Sequence, residues 1–171
     1  MTNAGSLLVA TAGYLEPDKN LETLVEAAGM LADDGFDIEL LMIGPGPDDY
    51  TNKLKKIAKE SSLPIFFYGF ATQEEMAKLY NASDIGVWPG VGISTQQAIG
   101  TGLPVVIGEK RATEHLVKHD NGFLFDSKNP RELARVLHRY FESPELIDQQ
   151  TEAANEYTRT ELSWKQIAEN S

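Results

Sequence analysis

Apolar residues fall along this chain in short blocks, and the spaces between the blocks have a different rhythm. Leu7–Ala12, Ile38–Ile43, Ile65–Tyr68, Ile85–Trp88, Leu103–Ile107 and Gly122–Phe125 are apolar at nearly every position and bounded by Gly, Pro, Asn or Asp, which predicts strands buried on both faces. Between them, Leu21–Ala32, Tyr50–Lys59, Glu74–Asn81, Thr95–Gly100 and Arg131–Phe141 place apolar residues three or four apart, the spacing of one helix face. Alternation of this kind predicts an α/β fold, a doubly wound parallel sheet with helices on both sides. After Ser143-Pro144 only helical signals remain, with Leu146, Ile147, Ala154, Tyr157, Trp164 and Ile167 forming an apolar stripe. One domain is expected, with its α/β core over 6–142 and C-terminal helices over 144–170.

In such a sheet, ligands gather outside the carboxyl ends of the strands, so the turns that follow each strand are where chemistry is sought. Every one of them carries glycine: Gly13, Gly44 with Gly46, Gly69, Gly90 with Gly92, and Gly108. A glycine turn that opens a helix makes an anion site, because the first amides of the helix have no acceptor within it and its dipole favours negative charge. The turn Gly92-Ile93-Ser94-Thr95 has these features, and Ser94 and Thr95 add hydroxyl groups to it. A purely structural reading of the same residues makes Ser94 an N-cap and Gln97 its capping-box partner. Lys19, in the polar turn after the first strand, is placed to reach across the strand ends to a diphosphate, although a plain surface lysine fits the spacing as well.

Composition narrows the chemistry by exclusion. The 171 residues are 42% hydrophobic and 24% charged, enough for a core that needs no staple. There is no cysteine, so disulfides and thiolate metal sites are out. His115 and His119 lack the intervening glutamate of a helical zinc motif and any evident third ligand. A formal charge of −11 supplies no basic stripe for nucleic acid. Gly44-Pro45-Gly46-Pro47 lacks the third glycine of a dinucleotide fingerprint, and Ser94 does not sit in a nucleophile elbow. No apolar run is long enough to span a bilayer, and MTNAGS lacks a secretory pattern, so a cytoplasmic setting is expected.

Read together, the turns resemble a known family. Gly13 through Lys19-Asn20-Leu21, Leu41-Met42-Ile43-Gly44-Pro45-Gly46-Pro47, Phe67-Tyr68-Gly69-Phe70 and Leu79-Tyr80-Asn81-Ala82-Ser83-Asp84 with Trp88-Pro89 are similar, in that order, to the C-terminal, donor-binding domain of family-4 retaining glycosyltransferases. The likeness continues through Gly102-Leu103-Pro104-Val105-Val106, Glu114-His115-Leu116-Val117, Asn121-Gly122-Phe123-Leu124 and Ser163-Trp164-Lys165-Gln166-Ile167-Ala168. The resemblance implies the Rossmann-like second half of a GT-B fold, with an N-terminal acceptor domain that this chain does not contain. It implies a nucleoside-diphosphate sugar as donor, a saccharide or lipid-linked acceptor, no metal or other cofactor, and peripheral membrane contact only through the missing half.

The resemblance also assigns residues. Lys19 matches the lysine on the donor diphosphate, Gly13 and Gly92-Ile93-Ser94 the backbone that lets phosphates approach, and Gly69-Phe70-Ala71 the turn along the nucleobase. Two glutamates of the family are missing: Gln97 stands where one binds the ribose, and the other falls at Pro89 or in a short deletion beside Gly90-Val91. Tyr14 replaces an arginine, for which Lys110 or Arg111 in the fifth turn is a candidate substitute. Those losses leave open a degenerate domain acting as partner or scaffold, and the fold leaves open an epimerase or phosphorylase.

Overall fold

A computed structural model describes residues 5–108, 114–117 and 120–162. Six strands, β1 (Ser6–Ala12), β2 (Asp37–Ile43), β3 (Ile65–Gly69), β4 (Ile85–Trp88), β5 (Val105–Gly108) and β6 (Gly122–Phe125), form one sheet in the order β3-β2-β1-β4-β5-β6. All five pairings are parallel. The expected doubly wound architecture is therefore the observed one. Successive strands are added toward one edge from β1 to β3 and toward the other from β4 to β6, which makes the carboxyl ends of β1 and β4 the switch point of the sheet.

The helices are α1 (Leu21–Asp33), α2 (Asp48–Glu60), α3 (Gln73–Ala82), α4 (Ile93–Gly100), α5 (Pro130–Glu142) and α6 (Glu145–Tyr157). The twofold alternation of the strands splits the core into two layers. Leu7, Val9, Ile85, Val87 and Val106 face α1, α2 and α5, where Leu24, Leu54 and Leu137 are fully buried. Ala10, Ala12, Trp88, Val105 and Ile107 face the other way, onto Tyr80 of α3, Ile99 of α4 and Ala154 of α6. Caps fix where helices start: the Thr72 hydroxyl accepts from the Glu75 amide and the Asn129 carboxamide from the Glu132 amide.

Apart from extensions of one or two residues at the ends of other elements, two boundaries differ from the sequence reading. β5 starts at Val105 rather than Leu103, because Gly102 turns the chain at a φ of +87° and Pro104 has no amide to give a ladder. α4 starts at Ile93 with Gly92 as its cap, so Ser94 lies inside the first turn rather than capping it. The helical extension continues from α6 into a wider turn over Thr158–Leu162, and Trp164 and Ile167 lie outside the described residues.

Candidate functional site

The turns after β1, β2 and β3 are stitched into one surface by their backbones. The Gly13 amide donates to Ile43 (3.0 Å), the Leu15 amide to Pro45 (2.8 Å) and the Gly44 amide to Gly69 (2.8 Å). Gly44, at a φ of +128°, comes so close to Gly13 that a β-carbon there would lie 1.9 Å from the Gly13 carbonyl oxygen. A β-carbon on Gly46 would lie 2.4 Å from the Leu15 carbonyl oxygen. The paired glycines that faintly suggest a dinucleotide fingerprint are consumed in packing two turns against each other.

A cavity of about 310 Å³ opens above these turns, between them and the start of α4. It collects Gly13, Phe70, Ala71, Ile93, Ser94 and Gln97 from the sequence-derived set, and adds Gly44, Pro45, Gln73 and Met76. No side chain lining it is ionisable. Phe70 and Ile93 are left 77% and 79% exposed at its mouth, an apolar rim that nothing among the described residues covers. Gln97 also borders an adjoining cavity of about 260 Å³ that runs between α3 and α4 to Thr101.

The rest of the set is placed around this cavity in different ways. Lys19 sits at the end of a 3-10 turn, and its Nζ is 3.9 Å from where a β-carbon of Gly92 would be. The ammonium thus stands beside the first turn of α4, and among the described residues it has no carboxylate partner. Its backbone is held from both sides: a β-carbon on Gly90 would come within 2.8 Å of Lys19 Cα, and the Leu21 amide donates to the Tyr50 hydroxyl at 3.2 Å. That hydroxyl donates in turn to Glu22 Oε2 at 2.8 Å. Thr95 is fully buried and its hydroxyl accepts from the Gly92 amide at 3.4 Å, so it faces the loop rather than the cavity. Tyr14 is exposed and Gly69 lies beneath, neither lining the cavity. Lys110, Arg111 and His119 lie outside the described residues. His115 is exposed, and among the described residues no group of carboxylates or histidines is arranged to hold a metal.

One part of the site has no counterpart in the sequence reading. Trp88, at the end of β4 and 1% exposed, donates its indole N–H to the Ala12 carbonyl (3.0 Å) and to Ser94 Oγ (3.1 Å). Ser94 Oγ donates its own hydrogen to the same Ala12 carbonyl at 2.7 Å, and the Tyr80 hydroxyl donates to the Ser94 carbonyl at 3.2 Å. The end of β1 is thereby latched to the first turn of α4. The Ser94 hydrogen is committed inside the protein and the Thr95 amide donates to the Gly92 carbonyl at 3.1 Å, which leaves the Ile93 and Ser94 amides and Lys19 as the free donors of the gap among the described residues. Gly86 makes the latch possible: a β-carbon there would lie 2.3 Å from the indole, which occupies that space. The available signal was a tryptophan in a buried strand, since a buried indole N–H needs an acceptor somewhere.

Trp88→Phe should cost about 2 kcal/mol of stability, from one lost hydrogen bond and a partly filled cavity, as read from urea unfolding. The latch is wrong if that variant unfolds at the wild-type midpoint.

A profile of the family described as "Glycosyl transferases group 1" matches residues 2–157, and the chain belongs to that family. Among curated relatives, a "GDP-mannose-dependent alpha-(1-6)-phosphatidylinositol dimannoside mannosyltransferase" of Mycobacterium tuberculosis is 26% identical over 144 residues, covering 81% of this chain and 36% of the relative. The chain therefore spans little more than a third of that relative's length. Among solved structures, the HepE protein of Anabaena, in complex with UDP and glucose, superimposes with a TM-score of 0.80 at 22% identity, covering 97% of this chain and 48% of the other. The C-terminal domain of a "Glycosyl Transferase Group 1 Family Protein (LpcC)" from Francisella tularensis gives a TM-score of 0.80 at 23% identity, covering 92% of this chain and 87% of that one. These superpositions establish the fold as that of one GT-B half.

Proposed function

We propose that this chain is the donor-binding domain of a retaining glycosyltransferase that moves a sugar from a nucleoside-diphosphate sugar to a saccharide or lipid-linked acceptor. The observation that carries the reading is the Lys19 ammonium beside the first turn of α4, at the switch point of a parallel sheet and next to a cavity free of ionisable groups. When the bond between the sugar C1 and the diphosphate breaks, negative charge grows on the departing phosphate. A lysine and unpaired helix amides already aimed at that place stabilise the charge without reorganising. In this reading no metal takes part. Gln97 accepts from or donates to the ribose hydroxyls through its carboxamide, and the turn Gly69-Phe70-Ala71 lies along the base. The relatives support the substrate class, one being named for GDP-mannose and one having been crystallised with UDP. The acceptor site belongs to the part of the protein that lies outside this chain.

Titration with UDP, GDP and ADP tests the proposal. One diphosphate should bind saturably, the matching nucleoside much more weakly, and Lys19→Ala should lower diphosphate affinity at least tenfold, about 1.4 kcal/mol. Gln97 in place of a carboxylate and Tyr14 in place of an arginine favour a second reading, a domain that has lost catalysis and serves as a partner. If neither this chain nor the full-length protein binds any of the three nucleotides at millimolar concentration, that second reading replaces the first. Product analysis on the full-length protein separates transfer from epimerisation or phosphorolysis.

A further inference from the structure

A second hollow in the described structure lies away from the nucleotide cleft. It measures about 510 Å³, within the roughly 300–1,000 Å³ of small-molecule sites, and opens where β6 begins, between α5 and α6. Gln150 forms part of its floor and is only 4% exposed. The Tyr140 hydroxyl, also buried, donates to Gln150 Oε1 at 2.6 Å. Burial pushes that phenol far above its ordinary range, so it remains a donor at any physiological pH. With the carboxamide oxygen claimed, the NH2 group is what Gln150 has left to offer the hollow it lines, and among the described residues no acceptor is bonded to it. Beside it the Arg139 guanidinium lies over the Phe123 ring at 4.2 Å, and among the described residues no carboxylate pairs with it. Asp120, Glu152 and Glu156 stand exposed on the rim.

Floor and rim together select a ligand chemistry. A free anion would suit Arg139 but meets three carboxylates on entry. A cation would suit the rim but meets only N–H donors on the floor, and no described group of side chains converges to hold a metal. A neutral ring carrying hydroxyls satisfies both, since its oxygens accept from Gln150 and Arg139 while its hydroxyl hydrogens go to the carboxylates. Its C–H face then lies on Leu146 and Ala153. We propose that this hollow binds a neutral saccharide, and so holds glycan at the end of the sheet opposite the strand tips. The proposal does not depend on which nucleotide, if any, the cleft binds.

Methyl α-D-glucopyranoside, methyl α-D-mannopyranoside and maltotriose are suitable probes, titrated into the isotope-labelled chain with glycerol as a control. At least one saccharide should shift the amide signals of Phe123, Gln150 and Ala153 saturably. Ala153→Met, which fills the hollow and leaves the Tyr140 to Gln150 bond in place, should weaken that binding about tenfold, and Arg139→Met several-fold. Signals of Phe70 and Gln97 should not move with the saccharide, which keeps this result separate from the cleft. The proposal is overturned if no probe saturates into the tens of millimolar, if glycerol produces the same shifts, or if Ala153→Met binds as the wild type does.

Discussion

Replacing Gly44 with alanine is expected to lower the melting temperature by about 10 °C, the larger of two effects expected from single glycine changes in this protein. The new β-carbon would lie 1.9 Å from the Gly13 carbonyl oxygen and 3.0 Å from its carbon, with the backbone held at a φ of +128°. Neither side can retreat, because the Gly13 amide is bonded to Ile43 and the Gly44 amide to Gly69. A strained φ costs about 1–3 kcal/mol and forced overpacking about 1–3 more, and each kcal/mol lowers the melting point of a chain this size by about 2–4 °C. Gly35→Ala isolates the clash, since Gly35 has a φ of +89° but nothing within 4 Å of the added carbon. Its effect should be less than half as large by scanning calorimetry. Equal losses in the two variants would mean that the turns after β1 and β2 are not locked together as described.

The second large effect is alkaline unfolding. Burial raises the phenols of Tyr50, Tyr80 and Tyr140 well above the ordinary tyrosine range, aided at Tyr50 by the nearby Glu22 carboxylate. A folded-state pKa above the unfolded one means that the unfolded chain releases its protons first as pH rises. The stability is thus complete below about pH 10 and is lost above it. Each phenol contributes at most about 1.4 kcal/mol per pH unit in that window, Tyr140 the most fully and Tyr50 less because solvent screens it in part, so the three together contribute no more than about 4, against a typical total of about 5–15. Cooperative loss of structure is expected within about one to three units above pH 10, and Tyr140→Phe should shallow the slope of stability against pH by about a third. A slope the same in Tyr140→Phe as in the wild type would show that this phenol ionises freely in the folded protein.

Elements governed by local pattern were legible in the sequence, and those governed by long-range contact were not. The six apolar blocks all became strands, but the expected burial on both faces holds only toward the middle of the sheet, in β4 and β5; at its edge β3 leaves Phe66 and Tyr68 53% and 44% exposed, because no further strand or helix among the described residues covers that face. Where a boundary moved, a single residue explains it: Pro104 delays β5, and Gly92 rather than Ser94 opens α4. The glycines of the strand-end turns marked the end of the sheet where the cavity between these turns and α4 opens, but not what they do there. Gly44 and Gly46 admit neighbouring backbone, and Gly86 admits an indole. Ser94 read as a hydroxyl for an anion or as an N-cap because its acceptor, Ala12, is 82 residues away. Gln73 and Met76 entered the cavity from a helix whose pattern speaks only of packing.

That separation governs the order in which the protein can assemble. The latch joins Ala12 to Trp88 and Ser94 across 76 and 82 residues, so a growing chain carries the turns after β1, β2 and β3 well before it holds the groups that close over them. During synthesis those glycine turns and the apolar ends of their strands wait uncovered until α4 emerges. Any molecule that settles in the finished cleft selects chains whose two halves have already met, and by mass action it draws late-folding chains to completion.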